Sequence, residues 1–198
     1  MCSSDLWFHK WQQKVEVGRV LELGCGKGLD TGFLQVSADF LVSSDLVTDH
    51  VASSRAGNSN GLFLVLEHAK PLPFHSQAFE TVVAGLTLHY FDWHTTTDIL
   101  KELRRVLIDG GVLLARFNSS SDFNHGAGKG ELMESGLYRV PRKPASDLRF
   151  SGWKKKHFFE ETDLRVLFRG WQIEYLQQTR FSYYGNEKVA FELVASTG

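Results

Sequence analysis

A short apolar strand running straight into three alternating glycines, Val20-Leu21-Glu22-Leu23-Gly24-Cys25-Gly26-Lys27-Gly28, constrains this chain more than any other feature. Val17 to Leu23 has the length and β-branched character of a buried strand. Leu29 to Val36 carries helical spacing, so the segment reads strand, loop, helix. Glycines at such a junction let the backbone turn sharply and admit a ligand where a side chain would otherwise stand. A dinucleotide fingerprint would need its third glycine where Leu29 stands, so the spacing is G-x-G-x-G and not G-x-G-x-x-G.

The alternation continues downstream. Asp39 to Asp45, Gly61 to His68 and Ala78 to Thr87 read as strands, with the polar, helix-compatible stretch Val47 to Asn58 between the first two. Thr95 to Leu107 places Ile99, Leu103, Val106 and Leu107 on one helical face, and Gly110-Gly111 ends it before a fifth strand, Val112 to Phe117. Glu160 to Phe168 reads as a helix with Thr162 as its cap. Trp171 to Thr179 and Lys188 to Ala195 read as two last strands with no helix between them. The expected fold is α/β: a Rossmann-like, doubly wound sheet of seven strands, mainly parallel, with one antiparallel strand near the C-terminus.

With 198 residues, 42% of them hydrophobic, the chain suits one domain, expected over residues 7–198. Residues 1–6 match what one frame of a common sequencing adapter would encode; they are read as a non-native scar, which would place the natural start upstream. Lys and Arg number 22 against 23 Asp and Glu, so no bulk field points to nucleic acid or an anionic membrane. Two cysteines make no disulfide framework, no run of 18 apolar residues occurs, and no secretory signal is present, so a cytoplasmic setting is expected. Residues 118–158 interrupt the alternation. They read as an insert or lid between the fifth strand and the following helix, with a basic stretch holding Arg139, Arg142, Lys143, Arg149, Lys154, Lys155 and Lys156. That stretch is either a solvated surface or a lid that brings an acidic or phosphorylated molecule to the site.

The G-x-G-x-G loop with Glu22 two residues before its first glycine resembles the first motif of class I S-adenosylmethionine-dependent methyltransferases. So do Asp45 at the end of the second strand, Leu72-Pro73-Phe74 before the fourth, and Arg105-Val106-Leu107 with Gly110-Gly111 before the fifth. Leu88-His89-Tyr90-Phe91, Arg116-Phe117-Asn118-Ser119, the segment Asp122 to Gly128, Lys156 to Phe159 and Lys188 resemble a bacterial type-11-like subgroup of unassigned substrate. The resemblance implies S-adenosyl-L-methionine as cofactor, contacted by Glu22, Gly24, Cys25, Gly26, Gly28, Asp45, His68, Ala69 and Ala84. Asp45 would take the ribose hydroxyls and Glu22 the methionine amino group. Two positions depart from the family's pattern. Glu80 stands where Asp is more common, and His68 stands where an acidic residue usually faces the adenine amino group. A charged imidazole could not accept that bond, so adenine recognition is expected to be weakened or pH-sensitive unless Glu67 substitutes.

Methyl transfer from a sulfonium is mainly a positioning problem, helped by a base where the nucleophile carries a proton. His89 is the leading candidate base because an unperturbed imidazole titrates near neutrality; Asp122 is next, and Asn118 is placed to orient the acceptor. Cys25 lacks a nearby base and reads as a small loop residue, and no zinc-type spacing occurs, so no metal is expected. The expected activity is methyl transfer to a small-molecule acceptor, with nucleic acid disfavoured. The alternatives are a catalytically silent cofactor-binding or partner protein on the same fold and a nicotinamide-dependent oxidoreductase.

Overall fold

The computed structural model describes residues 7, 10–11, 18–125, 130–141, 153–183 and 185–198. Arg142, Lys143 and Arg149 of the basic stretch, and residues 1–6 with Cys2, lie outside them. Seven strands form one sheet: β1 (Arg19–Leu23), β2 (Phe40–Asp45), β3 (Leu62–Val65), β4 (Phe79–Gly85), β5 (Leu107–Asn118), β9 (Trp171–Tyr183) and β10 (Asn186–Thr197). Their order is β3-β2-β1-β4-β5-β10-β9. β1 to β5 are mutually parallel, and β10 runs antiparallel between β5 and β9. This is the expected architecture, with its single reversed strand.

Side-chain alternation along the strands splits the core into two layers. Leu21, Val82, Leu113 and Leu193 point to one face, where they meet Ile99 and Leu103 of helix α3 (Trp93–Val106) and Leu164 of α4 (Glu161–Leu167). Val20, Val83, Leu114 and Val194, one residue out of step, point to the other. There they meet Leu34 of α1 (Thr31–Ser37) and the buried Trp7 and Trp11. Helix α2 (Thr48–Gly57) joins β2 to β3.

Two of the recognised motifs prove to be one structural unit. The Arg105 guanidinium donates to the carbonyls of Phe74 (2.9 Å) and Leu72 (3.2 Å), and Glu102 accepts from Arg105 and from the Leu72 amide (2.6 and 2.7 Å). The Leu72-Pro73-Phe74 segment is thereby fastened to the last turn of α3. Glu80, the longer side chain in place of Asp, reaches Arg19 at 2.5 Å.

Several local expectations need correction. β5 begins at Leu107, directly after α3, with its register shifted near Phe79; Gly110, at φ +74°, sits inside the strand and not before it. The cap of α4 is Glu160, not Thr162: Glu160 and Asp163 bond reciprocally to each other's backbone amides. The segment after β5 is not an irregular loop throughout. It holds a second, antiparallel sheet of β6 (Glu131–Glu134), β7 (Leu137–Pro141) and β8 (Trp153–His157) in the order β6-β7-β8. Phe159 returns this sheet to the main core, bridging to Ser119 and packing edge-on against Phe117 at 5.2 Å.

Arg116 and Glu192 face each other across β5 and β10 at 2.7 Å, each about 5% exposed. The guanidinium also lies between the rings of Trp7 (4.5 Å) and Phe181 (4.2 Å). Removing Arg116 leaves the buried Glu192 carboxylate only the longer contact to half-exposed Lys10 at 3.6 Å, whereas replacing both members of a buried pair with apolar groups is often tolerated. We expect Arg116→Met to lower unfolding free energy by about 3 kcal/mol in urea titration, and the Arg116→Met/Glu192→Leu double variant to recover most of that loss.

Candidate functional site

β1 lies where the strand order turns, with β2 on one side and β4 on the other, so the loops leaving β1 and β4 part and open a crevice at the carboxyl ends of the strands. The glycine loop occupies that crevice. Its first two amides, Gly24 and Cys25, both donate to the Ser44 carbonyl at 2.7 and 2.9 Å. The three glycines meet different constraints. A Cβ at Gly24 (φ +74°) would stand 2.0 Å from Thr87 Oγ1, and one at Gly28 (φ +86°) 2.7 Å from Asn58 Nδ2. A Cβ at Gly26 would meet nothing within 4 Å. Only the middle glycine opens onto free space; the outer two let neighbouring elements close in.

Glu22 is buried beneath the loop. Its Oε2 accepts from Thr31 Oγ1 and Ser43 Oγ, both at 2.7 Å, so the carboxyl joins β1 to α1 and β2. Burial pushes its pKa up to about 7, with the Asp30 and Asp45 charges adding to the rise and the Ser43 and Thr31 hydroxyls opposing it. Asp45, at the end of β2, accepts from the Gly26 amide at 3.0 Å through Oδ2 and from the Val47 amide at 2.9 Å through Oδ1. His50 Nδ1 lies 3.3 Å from the same Oδ1. Burial works to raise the Asp45 carboxyl, but the bonds from His50, Val47 and Gly26 outweigh it and hold the group below its usual range. Asp30, which the sequence reading passed over, comes within 2.6 Å of where a Cβ on Gly85 would stand, at the end of β4.

His68 is buried against Ser44, with Nε2 3.1 Å from Ser44 Oγ. Because Ser44 spends its one proton on the Glu22 carbonyl at 2.9 Å, the imidazole must be the donor, which leaves Nδ1 bare as an acceptor. Burial drops the His68 pKa to about 4, so the ring is neutral throughout the neutral range and the feared charge does not develop there. Glu67 is half-exposed and paired with Lys70 at 2.6 Å. Ala69 is exposed on the same turn, whereas Ala84 is fully buried in the core under the end of β4. The Cys25 thiol is pushed up to about 12, chiefly by burial and then by the Glu22 and Asp45 charges, and is inert as a nucleophile.

His89, Asn118 and Asp122 gather around Lys188, which the subgroup resemblance includes without a role. Lys188 Nζ donates to Asn118 Oδ1 at 2.5 Å and to Asp122 Oδ2, while Asp122 Oδ1 accepts from the Val189 amide at 3.0 Å. Both carboxylate oxygens of Asp122 are thus engaged. Lys188 and His89 line a cavity of about 230 Å³ together with Leu86, Tyr90 and Lys156. Leu86 holds φ +55°, a conformation that strains a side-chain-bearing residue and that collects at functional sites. His89 is 3% exposed with Nδ1 unpartnered. Burial first, then the charges of Lys188, Lys156 and Lys154, holds its pKa well below the ordinary value, which removes the reason for choosing it as a base. Among the described residues, no group of three His, Cys, Asp or Glu is gathered as a metal site requires.

Residues 21–115 match the family described as a methyltransferase domain. Solved structures share the architecture at low identity. An S-adenosylmethionine-dependent methyltransferase from Methanosarcina mazei superposes with a TM-score of 0.72 at 21% identity, over 92% of this chain and 93% of its own. One from Clostridium acetobutylicum gives 0.72 at 15%, over 99% and 91%. The N-methyltransferase NodS from Bradyrhizobium japonicum, in complex with S-adenosyl-L-homocysteine, gives 0.69 at 12%, over 98% and 85%. No curated protein matches the sequence.

The folded Glu22 carboxyl keeps its proton to about pH 7, whereas an unfolded one releases it near 4.5. Between those values the folded state holds the extra proton, so this residue makes stability fall as pH rises. We expect Glu22→Gln to remove that slope, a change on the order of 3 kcal/mol across the interval, measured by urea unfolding at pH 4.5 and pH 7.

Proposed function

We propose that this chain, whose residues 21–115 match the methyltransferase-domain family, is a class I S-adenosylmethionine-dependent methyltransferase that methylates a small-molecule acceptor held in the cavity beside His89. The observation that carries the proposal is the placement of that half-open cavity past the end of β4, where Leu86 lines it and the adjoining Thr87 packs against Gly24 of the glycine loop.

The residues suit the cofactor. Gly26 offers the open cradle, and the acidic surroundings of Glu22, Asp30 and Asp45 suit a molecule carrying a sulfonium and an ammonium. When bound, S-adenosylmethionine supplies an electrophilic methyl group whose sulfonium charge fades as the new bond forms. Asp45 accepts from the ribose hydroxyls, for which His50 must yield its place on Oδ1. His68 accepts from the adenine amino group through bare Nδ1, with Ala69 beside it. Glu22 holds the loop through Thr31 and Ser43, and its Oε1, outside those bonds, takes the methionine ammonium. Gly24, Cys25, Gly28 and the Ala84–Gly85 backbone shape the floor.

On the acceptor side, His89 acts as a neutral hydrogen-bonding group of the wall and not as the proton sink. Asn118 and Asp122 are positioning residues, acting through the Lys188 ammonium they hold. The β6-β7-β8 sheet, within the 118–158 segment of the single domain, closes the acceptor side.

Activity is tested by incubating the protein and S-adenosylmethionine with a fractionated metabolite extract and following methylated products by mass spectrometry. Cofactor binding with no product in any fraction would favour the silent-binding alternative. We expect Asp45→Ala to weaken cofactor binding tenfold or more in calorimetry, since hydrogen bonds to a charged acceptor are worth on the order of 1.5 to 3 kcal/mol. Asp45→Asn, which still accepts from the Gly26 amide, should fall between, and unchanged affinity in both variants would reject the ribose assignment.

A further inference from the structure

The three consecutive lysines of β8 do not share one task, because a strand sends alternate side chains to opposite faces. Lys155 pairs with Asp92 at 2.8 Å on one face. Lys154 and Lys156 lie on the other, the face of His89, and Lys156 lines the cavity.

The groups around Lys156 leave its charge uncompensated. Lys188 is held by Asp122 and Asn118, and among the described residues Asp122, already engaged there, is the one carboxylate that acts on Lys156. His89 and His157 are kept neutral, chiefly by burial. Lys156 itself makes no ion pair or hydrogen bond with any described residue. Burial, then the charges of Lys154 and Lys188, brings its pKa to about 8, so it is still mostly protonated at neutral pH. A lysine free to do so keeps its ammonium in water. Here a partly buried ammonium stands in a cavity wall with no paired counterion among the described residues, next to a histidine whose Nδ1 has no partner among them either. Charge in such a recess attracts an opposite charge more strongly than it would at an open surface.

We propose that the acceptor is an anion, with a carboxylate or phosphate group that pairs with the Lys156 ammonium beside His89. The word acceptor rests on the methyl-transfer reading; the anion site does not. A cavity of about 230 Å³ takes the anionic end of a metabolite.

The site is tested without turnover by following the Lys156 side-chain signal in 13C-lysine-labelled protein, assigned by its absence in Lys156→Arg. Inorganic phosphate or malonate should raise the Lys156 pKa by roughly half a unit or more, while chloride at matched ionic strength should not. The larger of the two responses tells phosphate from carboxylate. No response to either anion, or equal responses at all lysines, overturns the site. With turnover, the metabolite extract is split on an anion exchanger. Product should arise from the retained fraction and fall about tenfold or more with Lys156→Gln, with partial rescue by Lys156→Arg. Product from the unretained fraction alone overturns the acceptor class. If no fraction yields product, methyl transfer to a small molecule fails, and the phosphate and malonate titration still decides the anion site.

Discussion

One buried carboxyl organises the end of the sheet where the site lies. Glu22 accepts from a β2 hydroxyl and an α1 hydroxyl at the same oxygen, and Ser54 of α2 stands 3.1 Å from the Thr31 hydroxyl in that arrangement. Three elements therefore meet on a single acceptor, and α2 joins them through the Thr31 hydroxyl. A carboxyl in such a place is costly to ionise, which is why its proton is retained to about pH 7 in the folded chain. The glycine loop rests on this base and is held from above by the Ser44 carbonyl and Asp45. If the hydroxyls at 31 or 43 were lost, the loop would lose its floor before it lost any contact of its own.

The crevice has two electrostatic characters. Around the glycine loop stand Glu22, Asp30 and Asp45, and past the ends of β4 and β5 stand Lys154, Lys156 and Lys188 with Asp122. The net charge of the chain, minus one, hides this division completely. An acidic half beside a basic half matches the charges of the cationic cofactor and of the anionic acceptor proposed above. Arg116, clasped between Trp7 and Phe181 and paired with Glu192, lies at the end of β5 between the two.

The main sheet was legible because its central strands are buried on both faces, so each reads as an apolar run bounded by turn residues, and the edge strands β3 and β9 still carry apolar residues at alternate or successive positions. The second sheet was not. All four residues of β6 are exposed, β8 is lysine-rich, and their pairing comes from backbone bonds that leave no hydrophobic period in the sequence. The cap at Glu160 was missed for a related reason. Glutamate is an uncommon capping residue, and the reciprocal bond with Asp163 exists only once the turn has formed.

For the site, spacing picked out the glycine loop, because a strand-to-helix turn near a ligand demands small residues close together in the chain, and the family resemblance added Glu22, Asp45 and the clusters at 89 and 118–122. Sequence could not find Lys188 as their hub, since 66 residues separate it from Asp122 and only the antiparallel return of β10 beside β5 brings them together. Nor could it tell the states of the ionisable groups. A histidine read as a near-neutral base is neutral because it is buried among ammonium groups, and a histidine read as a charge hazard is neutral because it is buried against Ser44. Sequence determined the elements of the main sheet and the glycine loop between β1 and α1, because both follow from local backbone sterics and hydrophobic period. Protonation, counterion pairing and the shape of the cavity depend on what is packed against each group from distant parts of the chain, and those only the tertiary structure decided.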